Sequence, residues 1–206
     1  MAKLLVLGAT GRRVVARALA DGHAVTAVVR DTARWTEPHP RLRVTQGDAT
    51  DAATWSAAAA GHDAVICALG APGRDGSGVR RRGTAAALAV MEAHDMGRIV
   101  VLSSYGVGDS RPRLPWWIRF GLVPLFLGPG FADHEAQEAL VRASGRSWAI
   151  VRPPFLTDGD GGARLVRGDD LAGTAMKISR ADVAAELVRL ASATEPSGLV
   201  LGLTAA

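Results

Sequence analysis

Apolar residues fall in short runs along this chain, and each run ends within a few positions at glycine, aspartate or serine. Lys3 to Leu7 (KLLVL), Ala24 to Val29 (AVTAVV), Leu42 to Thr45 (LRVT), Asp63 to Leu69 (DAVICAL), Arg98 to Leu102 (RIVVL) and Ser147 to Arg152 (SWAIVR) have strand length and are rich in β-branched residues. DAVICAL is almost wholly apolar, as a strand covered on both faces must be. The intervening segments read as helices: Arg12 to Asp21, Asp51 to Ala60 behind an acidic N-cap, Gly83 to His94, Asp133 to Ser144, and Arg180 to Ala193 with Val183, Leu187 and Leu190 on one face. Leu199 to Leu203 reads as a last short strand. Strands alternating with helices at this spacing predict an α/β fold with a doubly wound parallel sheet, the Rossmann arrangement. One domain is expected over 1–206, with 152–206 contributing a small C-terminal lobe that caps the substrate side.

Composition narrows the function. The 206 residues suffice for one full core. Hydrophobic residues make up 48% and charged ones 21%, which places the chain among globular rather than disordered proteins. The net charge is only +4, and the arginines are scattered rather than gathered into a nucleic-acid stripe. Arg80-Arg81-Arg82 is the sole basic run and reads as a solvated helix face. Cys67 lies inside an apolar strand and reads as buried and inert. The five histidines and one cysteine show no metal-ligand spacing, and no G-x-S-x-G elbow marks a hydrolase. The first strand starts almost at Met1, so a cytoplasmic protein without a signal peptide is expected. Nucleic acid and a membrane span are not expected as partners; a small molecule is, with the chain as a monomer or homodimer.

The sharpest chemical signal is Gly8-Ala9-Thr10-Gly11 between the first strand and the first helix. Glycines there let backbone approach a pyrophosphate, and free N–H groups at the helix start bind its charge. The position of a third fingerprint glycine is Val14, which should hold helix and strand apart. The second strand stops at Arg30, with Arg34 one turn on. An acid at that place would accept the ribose 2′-OH of NAD, whereas a cation suits the 2′-phosphate of NADP. NADP(H) is therefore the expected cofactor.

In an open α/β sheet the ligand crevice lies outside the carboxyl ends of the strands. Those ends are Gly8 to Arg12, Arg30, Asp48-Ala49, Ala68-Leu69-Gly70, Ser103-Ser104-Tyr105 and Pro153-Pro154-Phe155. Asp48 is placed to accept from the adenine amino group, and Ala68 to Gly70 to bring backbone near ribose and diphosphate. Ser104 and Tyr105 are candidate catalytic hydroxyls, able to polarise a carbonyl or give it a proton; Ser103 and Ser104 serve equally well as turn caps. His134, at the start of its helix, is either a proton donor or a surface residue. Glu135 and Glu138 read as solvated or structural. Pro115 to Leu127 (PWWIRFGLVPLFL) is apolar, aromatic and too short and interrupted to span a bilayer. It is a buried connection, a pocket wall with Trp116, Trp117 and Phe120 as contacts, or a dimer contact.

Longer stretches carry a resemblance: GATG at Gly8 to Gly11, GHAVTAVVRD at Gly22 to Asp31, GDATD at Gly47 to Asp51, DAVICALG at Asp63 to Gly70, SSYGVG at Ser103 to Gly108, DHEAQEALVRASGRSWAIVRPPFLTDG at Asp133 to Gly159 and ISRADVA at Ile178 to Ala184. Over nearly its whole length the chain resembles the atypical short-chain dehydrogenase/reductases of the NmrA-like and biliverdin-IXβ/flavin-reductase-like type. The resemblance implies NADP(H) held by the glycine turn and the arginine after strand two. It also implies oxidoreduction of a small molecule or, in some members, NADP sensing without catalysis. Three departures stand out. Gly11 runs straight into Arg12-Arg13-Val14-Val15, as though three residues were missing from the turn. The Tyr-x-x-x-Lys pair is absent, with Gly130 and His134 in its places. Phe155 follows the Pro-Pro pair where relatives carry histidine, while the serine matching their site, Ser104, is retained. The expected activity is reduction of an apolar or conjugated substrate by direct hydride transfer. A non-catalytic NADP(H)-sensing protein is the alternative, and a scaffold that has lost cofactor binding the third reading.

Overall fold

The computed structural model describes residues 1–8, 11–35, 38–70, 77–193 and 197–206. Eight strands form one sheet in the order β3-β2-β1-β4-β5-β6-β10-β8: β1 Lys3–Leu7, β2 Ala24–Val29, β3 Leu42–Gln46, β4 Ala64–Cys67, β5 Arg98–Leu102, β6 Ser147–Arg152, β8 Leu165–Gly168 and β10 Leu199–Ala205. All neighbours pair in parallel except β10 and β8. Two further short strands, β7 Phe155–Thr157 and β9 Lys177–Ser179, pair in parallel as a separate ribbon. The lobe expected over 152–206 is therefore split. The β7–β9 ribbon stands off the main sheet, while β10 joins it beside β6.

Side-chain alternation explains the apolar strands. Leu4 and Val6 of β1, Ile66 of β4, Val100 of β5 and Val151 of β6 point to one face, where they meet α1 (Gly11–Ala20) and α4 (Arg180–Ser192). Leu5, Leu7, Val65, Ile99 and Ile150 point to the other, against α2 (Val79–Ala93) and α3 (Gly128–Ala143). With both faces covered, no strand position in the middle of the sheet can be polar at low cost.

Local chemistry moved several boundaries. The helix expected from Asp51 to Ala60 is two 3₁₀ turns, Ala52–Thr54 and Ser56–Ala59, parted by Trp55 at φ −143°, ψ −4°. Trp55 is 1% exposed and its indole N–H donates to the Asp48 carbonyl, so core packing overrides helix propensity there. α2 starts at Val79, taking the arginine run into its first turn. α3 starts at Gly128, with proline in the first turn, where a missing N–H costs nothing. Before α3, Ile118–Leu127 winds as a wide π-type helix containing Pro124. Val14 is fully buried among Val6 and Val15, so the valine at the third fingerprint position packs inside the strand–helix contact.

Candidate functional site

The strand order places β1 beside β4, so the chain reverses direction of winding between them and opens a crevice at their carboxyl ends. Gly8 sits in this crevice with φ +113°, and a Cβ there would lie 2.3 Å from the Ala68 carbonyl oxygen. No residue with a side chain could hold this approach of β1 to β4. α1 begins at Gly11, whose N–H donates to the Gly8 carbonyl at 3.0 Å. The shortened connection thus still aims a helix N-terminus, with no acid in its first turn, at the crevice. Thr10 lies outside the described residues. Ala68 and Leu69 are buried and offer backbone only, whereas Gly70 is exposed with open space at its Cα. The Arg12 side chain is engaged elsewhere, its guanidinium 5.3 Å from the centre of the Trp35 ring. Arg13 donates to the Asp158 carbonyl at 3.2 Å. What Arg12 can offer a diphosphate is its N–H.

At the ends of β2 and β3 three charges converge. Asp48 accepts from the Thr50 N–H and hydroxyl, both at 2.9 Å. Those bonds first, and then the Arg30 and Arg82 cations, hold its carboxyl below the ordinary carboxylate range. Arg30 is exposed. Arg82 was not legible as part of this group. It comes from the first turn of α2, far away in sequence, and the run containing it read as a solvated face. The side chain of Arg34 lies outside the described residues. Ala49 is half-buried beside this cluster. From β2 to β5 the rim crosses three interstrand gaps, roughly 14 Å. The charges at the ends of β2 and β3 therefore stand about that far along the rim from the serines at the end of β5. The glycine crevice and a helix N-terminus free of acids fit the diphosphate of a dinucleotide.

Beyond β5 lies a cavity of about 290 Å³. Ser104 and Tyr105 enter it from the turn after β5, Pro154 from the turn after β6, and Phe155 from the start of β7. Leu114, before the π-helical segment, and Ile118 and Leu127 within it close the cavity, with Phe131 and His134 from α3 and Arg80 from α2. The segment 115–127 is thus a pocket wall, but through other residues than expected. Trp116, Trp117 and Phe120 are 75%, 55% and 68% exposed and face away.

The candidate catalytic residues differ sharply in availability. Ser104 is half-buried and its hydroxyl donates only to the Tyr105 carbonyl, at 3.3 Å, a long bond that a better acceptor would displace. Tyr105 is 4% exposed, and its hydroxyl accepts from the Leu171 N–H at 3.3 Å. Ser103 is spent internally: it is buried and donates to Glu138 Oε1 at 2.6 Å. The Pro153 carbonyl accepts the Tyr105 N–H, and its ring is buried. His134 is not a surface residue. It is 8% exposed, and burial, then the Arg80 charge, push its pKa down to about 4. Gln137 gives its amide N–H to Thr84 and turns its oxygen toward His134 Nδ1, at 3.4 Å. That network assigns the ring proton to Nδ1. A neutral ring with its proton so engaged is unsuited to donate at neutral pH. Cys67 is fully buried and its thiol is pushed up to about 12 by burial. No helix among the described residues is long and apolar enough to cross a membrane.

Comparison with known proteins agrees with this geometry. Residues 7–194 match the NAD(P)H-binding family, and the chain belongs to it. Among solved structures, ChuY from Escherichia coli has a TM-score of 0.80 at 26% identity, covering 100% of this chain and 97% of that one. A second ChuY structure from Escherichia coli, described as an anaerobillin reductase, has a TM-score of 0.77 at 25% identity, covering 98% and 97%. A short-chain dehydrogenase/reductase from Veillonella parvula in complex with NADP shares the fold at 15% identity, with a TM-score of 0.78 and coverage of 98% and 94%.

Proposed function

We propose that this protein is an NADPH-dependent reductase of a small apolar or conjugated substrate. The observation that carries the reading is the cavity at the end of β5. It carries the Ser104 hydroxyl on its wall and lies on the same strand-end rim as the Gly8 crevice and Arg30. Gly8, Gly11 and the first N–H groups of α1 would hold the diphosphate, and Arg30 and Arg82 the 2′-phosphate. When bound, the cofactor supplies a hydride from its nicotinamide to an electrophilic carbon of the substrate. Ser104 would orient that substrate by hydrogen bonding to its polar atom, where negative charge collects as the hydride arrives. The balancing proton comes from water or from Tyr105, whose hydroxyl accepts the Leu171 N–H and keeps its own proton to give, whereas the neutral His134 ring turns its proton to Gln137. Apolar walls keep bulk solvent from the reacting face. The likeness to ChuY, one structure of which is described as an anaerobillin reductase, supports a conjugated substrate, and anaerobillin joins flavins and quinones in the first panel.

The test has two stages. Calorimetric titration with NADPH and NADH should give binding with NADPH clearly preferred. Loss of reduced-nicotinamide absorbance should then appear with at least one panel compound, and Ser104→Ala should lower kcat by about tenfold or more. Cofactor binding without turnover across the panel would favour the non-catalytic sensor, a reading that the absent Tyr–Lys pair also supports. No binding of either cofactor would overturn both.

A further inference from the structure

The cavity wall is mostly apolar, yet one cation belongs to it. Arg80, in the first turn of α2, has a side chain that is 12% exposed. Its one side-chain contact among the described residues is Nη1 to Asp133 Oδ2, at 3.4 Å. Its Nε is buried with no hydrogen-bond partner among the described residues. Asp133 is an incomplete counter-ion. Its two oxygens already accept the backbone N–H groups of Arg80, at 3.0 Å, and Arg81, at 2.9 Å. In this way it caps α2, whose own cap residue, Gly78, has no side chain to do so. An incompletely paired guanidinium in an apolar wall is costly, and proteins keep such groups where an anion completes them.

We infer that Arg80 anchors a carboxylate of the substrate, so that the cavity takes an apolar aromatic or conjugated acid. With Nη1 turned to Asp133 and Nε buried, Nη2 is the guanidinium nitrogen left to give a carboxylate in the cavity a charge-assisted bond. The apolar body then lies among Ile118, Phe131 and Phe155, with Ser104 on the same cavity wall. Arg80 shares this wall rather than the adenosine-side cluster, where Arg82 of the same helical turn acts on Asp48. Successive positions of one basic run thus serve two different anions. The inference rests on reading this cavity as the substrate site and adds a charge to the substrate.

The test needs no turnover. The full chain, saturated with NADP⁺, is titrated calorimetrically with 2-naphthoate and with its neutral isostere 2-naphthamide. The acid should bind about tenfold or more tightly than the amide. Arg80→Gln should erase that preference while leaving amide affinity within about twofold. Arg80→Lys, which keeps the charge and loses the planar guanidinium, should retain part of it and guards against a folding defect in the first variant. Equal binding of acid and amide by the unmodified protein would overturn the inference, as would a preference that survives Arg80→Gln. Loss of NADP⁺ affinity in Arg80→Gln as large as the loss of naphthoate affinity would assign Arg80 to the cofactor instead. If NADP⁺ itself does not bind, the reductase reading falls, and the same titrations without it still decide the role of Arg80.

Discussion

Arg152 and Glu138 form a bidentate pair inside the protein, with Nη2 to Oε2 at 2.6 Å and Nε to Oε1 at 2.8 Å, joining the end of β6 to α3. Each side chain is 5% exposed or less. Glu138 Oε1 also accepts from Ser103, and Arg152 reaches Asp109 with Nη1 at 2.6 Å. Burial works against the Arg152 charge, but its bonds to Glu138 and Asp109 outweigh that and raise its pKa. The pair therefore fixes the backbone on either side of Ser104, a residue it never touches.

Replacing Glu138 by Gln should leave the Arg152 charge partly unpaired in a dry site. The expected loss is about 3 kcal/mol of unfolding free energy, the usual consequence of removing one partner of a buried pair. Urea denaturation checks this: the midpoint should fall while the slope stays unchanged.

Gly8→Ala should be the most damaging small substitution in the cofactor crevice. The new methyl would meet the Ala68 carbonyl at 2.3 Å, and φ +113° is itself strained for alanine. The fold should lose about 2–4 kcal/mol. Gly11→Ala is the control. Its methyl would meet only a Val6 methyl, at 3.1 Å, in a helical backbone, and the cost should be below about 1 kcal/mol. Thermal unfolding of the two variants separates a backbone requirement from a packing one.

The reach of the sequence follows from what each element depends on. β1 through β6 were legible because each is a short apolar, β-branched run closed by turn residues, as a strand in a covered sheet requires. β7, β8 and β9 are three or four residues long, too short for any periodicity to register. The π-helix at 118–127 was hidden by Gly121 and Pro124, which read as breakers. Strand ends gave Gly8, Arg30, Asp48 and Ser104 by topology alone. Arg80, Arg82 and the buried state of His134 were not legible, because each depends on how α2 and α3 meet over the sheet. The same packing directs Ser103 to Glu138, although sequence treated it as equal to Ser104.

Arg30 and Arg82 should act together on cofactor choice. Arg30→Ala or Arg82→Ala alone should weaken NADPH binding by about tenfold, the worth of one charge-assisted contact, and leave NADH nearly unchanged. The double variant should show little preference between the two. Calorimetry of the four proteins with both cofactors reads this directly. An unaltered NADPH preference in the double variant would mean that the 2′-phosphate is held elsewhere.

Acidification should expose the cost of burying His134. Its pKa is 6.5 in the unfolded chain and is pushed down to about 4 in the fold, by burial and then by Arg80. Between those values the unfolded chain takes up a proton that the native ring refuses, so native stability falls as pH drops through this window. Above the upper value the ring is neutral in both states and contributes no slope. The loss should reach on the order of 3 kcal/mol at the lower end. His134→Gln removes the titrating group and should flatten the profile across the window, although other carboxylates will still titrate below it. Measuring Tm against pH for the two proteins isolates the difference. If the two curves run parallel, the ring is protonated normally in the fold and the account of it as a neutral wall residue is wrong.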